Sequence, residues 1–333
     1  MNFSRSKLLT LLCLLVFGSG NVLRAVADSA IDEIIVSADF RDATLLDSSA
    51  SITVVDAEAI SQRQARHLEQ LLNLAPNVNF SSGASRGRFI QIRGIGERSQ
   101  FIEPLNPSVG ILVDGIDFTG IAGAATTMDI EQVEILRGPQ GTLYGANALA
   151  GLISLQSVQP GRQTEGNLSA SVGDYNTQTL SGSLGGPVSD DLGLRVAVQQ
   201  HSSDGFVDND FLNRDDTNNI DELSLRSILA WQASDNTRIK LTVFHVNADN
   251  GYDAFSLDNT RNTLSDQPGH DRQETIAFSL ESTWTKNKEF DIMILPHWCI
   301  EFIPDDFINL TINTTSLGEM SKQHAEYFFK NIE

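Results

Sequence analysis

Asp129-Ile130-Glu131-Gln132-Val133-Glu134-Ile135-Leu136-Arg137-Gly138-Pro139-Gln140-Gly141-Thr142-Leu143-Tyr144-Gly145-Ala146-Asn147-Ala148 is the densest signal in this chain of 333 residues. Val133–Leu136 reads as a strand that runs into a turn at Gly138-Pro139. Gly141 and Gly145 then read as a tight segment that lets neighbouring backbone approach closely. Upstream, Ser51–Val55 reads as a strand, and Asp56 is a good N-cap for a helix over residues 57–74. Ile60, Leu68, Leu71 and Leu72 form that helix's apolar face, and Pro76 stops it. Further strands are expected at Phe89–Ile92 and Gly110–Val113. Strands mixed with one or two helices over residues 45–160 predict a compact α+β domain.

From about residue 165 the pattern changes to alternation with period two. Leu192, Leu194, Val196 and Val198 alternate with Gly193, Arg195, Ala197 and Gln199. Ile239, Leu241 and Val243 alternate with Lys240 and Thr242, and Ile276, Phe278 and Leu280 with Ala277, Ser279 and Glu281. Six segments read this way, near residues 166–174, 177–185, 191–201, 221–233, 236–247 and 273–284, with one long polar loop around Asp249–Arg272. Such a dyad over ~9–11 residues suits transmembrane barrel strands, and soluble sandwiches alternate too. Trp231, Phe244 and Trp284 are candidates for an interfacial aromatic girdle or for the core.

At the other end, Arg5 and Lys7 precede an apolar run from Leu8 to Phe17, and Ala25 and Ala27 offer an A-x-A-type cleavage site. Residues 1–27 read as a secretory signal peptide. Its removal takes away Arg5, Lys7 and Arg24, leaving 20 basic against 43 acidic residues, a balance of −23. That charge argues against nucleic acid as a partner. Cys13 leaves with the signal, so Cys299 stands alone and no internal disulfide is expected. Residues 286–333 break the composition: they hold Lys286, Lys288, Lys322 and Lys330, four of the chain's six lysines, none of its seventeen arginines and one of its 25 glycines. The alternation also stops, so this tail is expected to be aberrant and not native to the fold.

The stretch from Asp129 to Ala148, together with Ile92-Arg93-Gly94 and Val113-Asp114-Gly115-Ile116, closely resembles the plug domain of TonB-dependent outer-membrane receptors, whose sequences carry DIE-x-VEVLRGPQGTLYG. The resemblance covers roughly residues 32–285. It implies an α+β plug followed by antiparallel transmembrane β-barrel strands, the barrel incomplete at about six: residues 28–44 as the energy-coupling segment, 45–160 as plug, 161–285 as strands. The plug motif then comprises Gly94, Asp114, Gly115, Gly138, Pro139, Gly141, Tyr144 and Gly145. Asp32, Glu33, Ile34, Ile35, Val36, Ser37 and Ala38 resemble the TonB box, an added strand for TonB and its inner-membrane energising complex. Arg93 and Arg137 resemble arginines that pair with glutamates on later barrel strands. Arg86, Arg88 and Arg98 lie in apical loops, positioned to meet an anionic chelate. Where the family reads Gly-Gly after the motif, this chain has Leu149-Ala150-Gly151, and Ala150 is expected to crowd a tight approach.

The implied role is active uptake of a scarce substrate, above all a ferric siderophore, by a protein exported to the outer membrane. With so few strands the expectation is a truncated product unable to transport alone, located in the periplasm if it does not insert. The alternatives are a periplasmic plug module that binds TonB without transport, and a non-functional relic. No enzyme is indicated. His67, His201, His245, His270, His297 and His324 lack metal-ligand spacing, no nucleophile elbow or P-loop occurs, and Gly94-Ile95-Gly96 lacks the third glycine of a dinucleotide fingerprint. Neither a metal, a cofactor nor a catalytic residue is expected.

Overall fold

The computed structural model describes residues 35–36, 43–44, 50–82, 84–99 and 107–284. The expected signal peptide and tail lie outside them, as do Asp32, Glu33, Ile34, Ser37 and Ala38. Strand β1 (Ile35–Val36) pairs antiparallel with β2 (Ala43–Thr44). A five-stranded sheet follows, built from β3 (Ser51–Asp56), β7 (Val109–Val113), β8 (Ile116–Asp117), β9 (Ile130–Arg137) and β10 (Gly151–Ser157) in the order β3-β9-β10-β7-β8. Only the pairing of β10 with β7 is parallel. A second, three-stranded sheet holds β4 (Val78–Ser82), β5 (Gly87–Ile92) and β6 (Ile95–Gly96).

Asp56 caps the helix as expected, its carboxylate accepting from the Ala59 amide at 2.8 Å. The helix α1 is shorter than the expected 57–74, however, and ends at Gln62. Gln64 takes a left-handed conformation (φ 51°), the Ala65 amide donates to the Ile60 carbonyl and the Gln64 amide to Ser61. This Schellman closure ends the helix fourteen residues before Pro76. Two 3-10 turns, Leu68–Gln70 and Leu72–Leu74, carry the chain on. Ile60, Leu68, Leu71 and Leu72 still enter the core, because the bend is taken up by the polar residues between them.

The two dipeptides Arg93-Gly94 and Asp114-Gly115 are two-residue hairpin turns, β5 to β6 and β7 to β8. Both residues of each have positive φ (55° and 80°; 49° and 79°), the type I′ geometry that matches the twist of the flanking strands. Asp114 is buried, and its carboxylate accepts from the backbone amide of Ser157 at 2.8 Å. The stretch after β9 forms a single helical turn, α2 (Gly141–Tyr144). A Cβ at Gly141 or Gly145 would meet nothing within 4 Å, which corrects the expectation of close backbone approach there. The tight contact lies at Gly151, where a Cβ would stand 2.3 Å from the Leu136 carbonyl oxygen. Ala150 is buried without crowding. Its amide donates to Ser108 and its carbonyl accepts from Gly138.

The remaining six long strands are β11 (Glu165–Gly173), β12 (Thr177–Ser189), β13 (Leu192–Ser203), β15 (Ile220–Ser234), β16 (Thr237–Tyr252) and β18 (Gly269–Trp284). They form one antiparallel sheet in chain order, open at both edges among the described residues. Short β14 (Asp208–Asn209) and β17 (Asn262–Thr263) pair in parallel within the two longest connections, 204–219 and 253–268. Those connections share one end of the sheet with the turn at 174–176; the other end carries the tight turns at Asp190-Asp191 and Asp235-Asn236.

The polarity of this sheet is the reverse of a soluble one. Leu184, Val196, Val243 and Phe278 share one row across strands and are exposed, as are Leu168, Val198, Leu225 and Ile276 in the next. The opposite face, with Arg195, Glu222, Arg226, Thr242 and Asn250, is buried. Trp231 and Trp284 stand outward near the tight-turn end, whereas Phe244 turns inward and meets Phe118 edge-on at 5.3 Å. The apolar core of the first domain thus continues through Phe118 into Phe244 and Val246 of the wall. Among the described residues no helix is long and apolar enough to cross a membrane.

The Gly151→Ala substitution forces β9 and β10 apart and should destabilise this domain by about 1–3 kcal/mol. The check is the urea midpoint for protection of residues 50–157 against protease; an unchanged midpoint would show that the approach at Gly151 has room to relax.

Candidate functional site

Two polar clusters join the first domain, the expected plug, to the inward face of the sheet. In the first, Glu222 on β15, Asn250 on β16 and Asp271 on β18 converge on the segment Ser85–Arg88 that leads into β5. The Arg86 guanidinium lies flat against Glu222, with Nε to Oε1 and Nη2 to Oε2 both 2.6 Å, and its Nη1 reaches Glu69 at 3.0 Å. Asn250 donates to both Glu222 (2.8 Å) and Ser85 Oγ (3.0 Å), so the carboxylate is fully used. Asp271 accepts from the amide and hydroxyl of Ser85 and from Arg88 Nη2 at 3.4 Å. The two carboxylates beside Arg86 outweigh its desolvation and hold its pKa above the ordinary value.

The second cluster lies deeper, on Met128 and Asp129. Arg195 of β13 grips the Asp129 carboxylate with two contacts of 2.6 Å. Arg226 of β15, on the same face and two residues from Arg195's register partner Ile228, donates to the carbonyls of Met128 and Asp129. Asp129 has a left-handed backbone (φ 54°), a strained position that short polar side chains tolerate and that these contacts pin. The opening residue of the diagnostic stretch is therefore an anchor for the wall. Arg195 and Arg226 were legible only as polar partners in an alternating strand; an arginine at a mid-strand position of the polar face was the available signal.

Of the expected apical arginines, Arg86 is buried in the first cluster, which corrects its reading as ligand-facing: its charge is spent on Glu222 and Glu69. Arg88 is partly exposed and held by Asp271. Arg98 is exposed, and only its carbonyl is engaged, by Ser81 Oγ at 2.8 Å. Arg93 lies against Gly138, and Arg137 Nη1 donates to the Pro76 carbonyl at 3.3 Å, so both stay within the plug among the described contacts. The Nε of Arg137 is buried without a partner among the described residues.

His67 sits under Arg86, fully enclosed. Its Nε2–H donates to the Ala122 carbonyl at 3.0 Å, and Nδ1 accepts from the Glu69 amide at 3.3 Å, which requires the neutral ring. Burial first, and then the Arg86 charge, push its pKa below the ordinary 6.5.

Residues 44–152 match the family described as "TonB-dependent Receptor Plug Domain". The chain is similar to the pesticin receptor of Yersinia pestis, 30% identical over 171 residues that are 51% of this chain and 25% of that protein. It is also similar to the vitamin B12 transporter BtuB of Vibrio vulnificus, 24% identical over 66% of this chain and 36% of that one. Among solved structures, the ferric yersiniabactin uptake receptor FyuA from Yersinia pestis superposes with a TM-score of 0.65 at 24% identity, over 72% of this chain and 39% of that one. The chain thus spans about a quarter to two fifths of the proteins it matches.

Truncating Arg86 to Ala leaves Glu222 buried and unpaired and should weaken plug docking by about 3–5 kcal/mol, whereas Arg86→Met with Glu222→Leu should recover most of the loss. Protease accessibility of the plug reports both; equal damage in the single and double variants would refute the ion pair as the anchor. The pH dependence follows from His67. Its folded pKa is depressed, so its contribution is present above about 6.5 and is lost as pH falls below that value toward the folded pKa. The urea midpoint of the plug should therefore fall between pH 7 and pH 5, and less so in His67→Gln, which can both donate and accept; parallel pH profiles would refute this.

Proposed function

We propose that this chain, which carries the plug domain of the TonB-dependent receptors and strands built like the start of their barrel wall, is part of a receptor for active uptake across the outer membrane, with a ferric siderophore or similar iron chelate as cargo, and that its open six-stranded sheet does not transport alone. The observation that carries this reading is the reversed polarity of the six-stranded sheet. Among the described residues its apolar face has no protein against it, and its polar face is committed to the plug. Hydrocarbon accepts such an outward face, and strands whose backbone groups are paired can lie in it. The short turns then face the periplasm and the long connections 204–219 and 253–268 the exterior. The likeness to a ferric yersiniabactin uptake receptor favours an iron chelate, and that to a vitamin B12 transporter keeps cobalamin as the rival.

Export follows from residues 1–27 as signal peptide. Asp32–Ala38 is the strand offered to TonB, through which the inner-membrane energising complex acts on the plug. Support comes from β1, where Ile35 and Val36 are already extended and paired with Thr44 and Ala43; a TonB strand takes the place of that pairing. Arg93 and Arg137 are contacts for wall strands beyond the six. The buried, unpartnered Nε of Arg137 fits that role.

Cells expressing the chain are fractionated, and the extracted protein is captured on the periplasmic part of TonB. The expected result is an outer-membrane band and capture that Val36→Pro lowers at least about tenfold, since proline removes a ladder donor. Phe278→Arg, on the outward face, should deplete the membrane band at a cost of about 2–4 kcal/mol. A soluble periplasmic protein that tolerates Phe278→Arg but still binds TonB would favour the plug-module alternative instead.

A further inference from the structure

The end of the sheet assigned to the exterior is poorly equipped to hold an anion. Of the three apical arginines, Arg86 is neutralised by Glu222 and Glu69 and Arg88 faces Asp271, which leaves Arg98 as the single apical arginine without an ion pair among the described residues. The two long connections, 204–219 and 253–268, contain eight aspartates and two arginines, a balance of −6. Both arginines are engaged: Arg214 Nε with Asp216 at 2.7 Å, and Arg261 Nη1 with the Tyr175 hydroxyl at 2.7 Å. Hydrogen bonds from Thr260 and Ser256 hold the Asp258 carboxyl below its usual range, and Arg214 does the same for Asp216, so these acids stay ionised.

This charge is fixed in place, because the two connections form one body. The buried carboxylate of Asp253 accepts from Asn209 Nδ2 (2.8 Å), Thr217 Oγ1 (2.9 Å) and Thr263 Oγ1 (2.8 Å), drawing both loops together. Asn209 also donates to the Ser265 carbonyl at 2.9 Å, and the parallel pairing of β14 with β17 completes the clasp. While these polar groups are hidden, Phe206, Phe211, Phe255, Leu257 and Leu264 stand exposed on the same loops. Exposed apolar side chains in such number mark a surface that receives something.

We propose that the ligand received here is a metal chelate without net negative charge, neutral or cationic, that offers apolar surface to these side chains. This inference rests on the uptake reading and narrows its substrate class: an acidic rim raises the local concentration of cations and repels polyanions.

The test uses the full chain in detergent, titrated by isothermal calorimetry with two probes: a ferric trihydroxamate bearing a pendant ammonium, and the polyanionic ferric tris-catecholate. The cationic chelate should bind at least about tenfold tighter at low salt, and the gap should close as salt is added. The variant Asp208→Asn, Asp215→Asn, Asp266→Asn removes three exposed charges outside the Asp253 clasp and should narrow the gap likewise. Equal or tighter binding of the catecholate, or a gap that neither salt nor the triple variant moves, overturns the inference and leaves the uptake reading standing. Binding of neither probe removes the iron-chelate reading itself and this inference with it.

Discussion

A sheet that turns its apolar face outward must satisfy the charges on its other face from within, and here that condition is met by the plug. Arg195 and Arg226 are carried by neighbouring strands into a space without bulk water, where an unpaired guanidinium is costly. Asp129 and the carbonyls beside it supply the counterpart. Glu222 and Asp271 pose the same problem with opposite sign, and Arg86, Ser85 and Arg88 answer it. Two acids and two arginines of the wall are thus matched by groups on one small domain. The plug's orientation follows from that matching, with Phe118 against Phe244 closing the apolar gap between the clusters.

The plug can present these groups because its own frame is stiff. Type I′ turns at Arg93-Gly94 and Asp114-Gly115 set the strand registers, and Asp114 ties its turn to the end of β10 through Ser157. On the sheet face away from the main core, the buried Glu134 receives hydrogen bonds from Gln132 (2.7 Å) and Gln156 (2.8 Å). Strand ends and turns are therefore fixed by polar contacts, and the strand middles by Ile, Val and Leu side chains. The close approach at Gly151 lets β10 lie between β9 and β7.

At the end of the sheet that carries the two long connections the same economy appears with a different result. Asp253 is satisfied by neutral donors alone, so the clasp spends no arginine, and the loops keep their excess of acid. Arg86 is drawn into docking, which leaves Arg98 as the exposed apical arginine with no side-chain partner among the described residues.

Much of this was legible in the residues. Period-two alternation fixed the six long strands to within a few residues, because a strand with unlike faces must alternate whatever lies around it. Asp56 marked a helix start through local backbone preference, whereas the Asp-Gly and Arg-Gly pairs were read as family motifs and the structure shows them to be type I′ turns. Other features depended on groups distant in the chain. The end of α1 at Gln62 lacked a glycine or proline to announce it, and β4, the two-residue β6 and β8, and the central β10 were not foreseen, since the first three are too short to show a period and β10 is buried on both faces. The pairing of Arg86 with Glu222 spans 136 positions and that of Arg195 with Asp129 spans 66, so no local pattern distinguishes a buried arginine from one that faces a ligand. Local sequence determined where strands and turns form, through short-range sterics and polarity; only the tertiary structure decided which charges meet, because burial and distance are properties of the assembled chain.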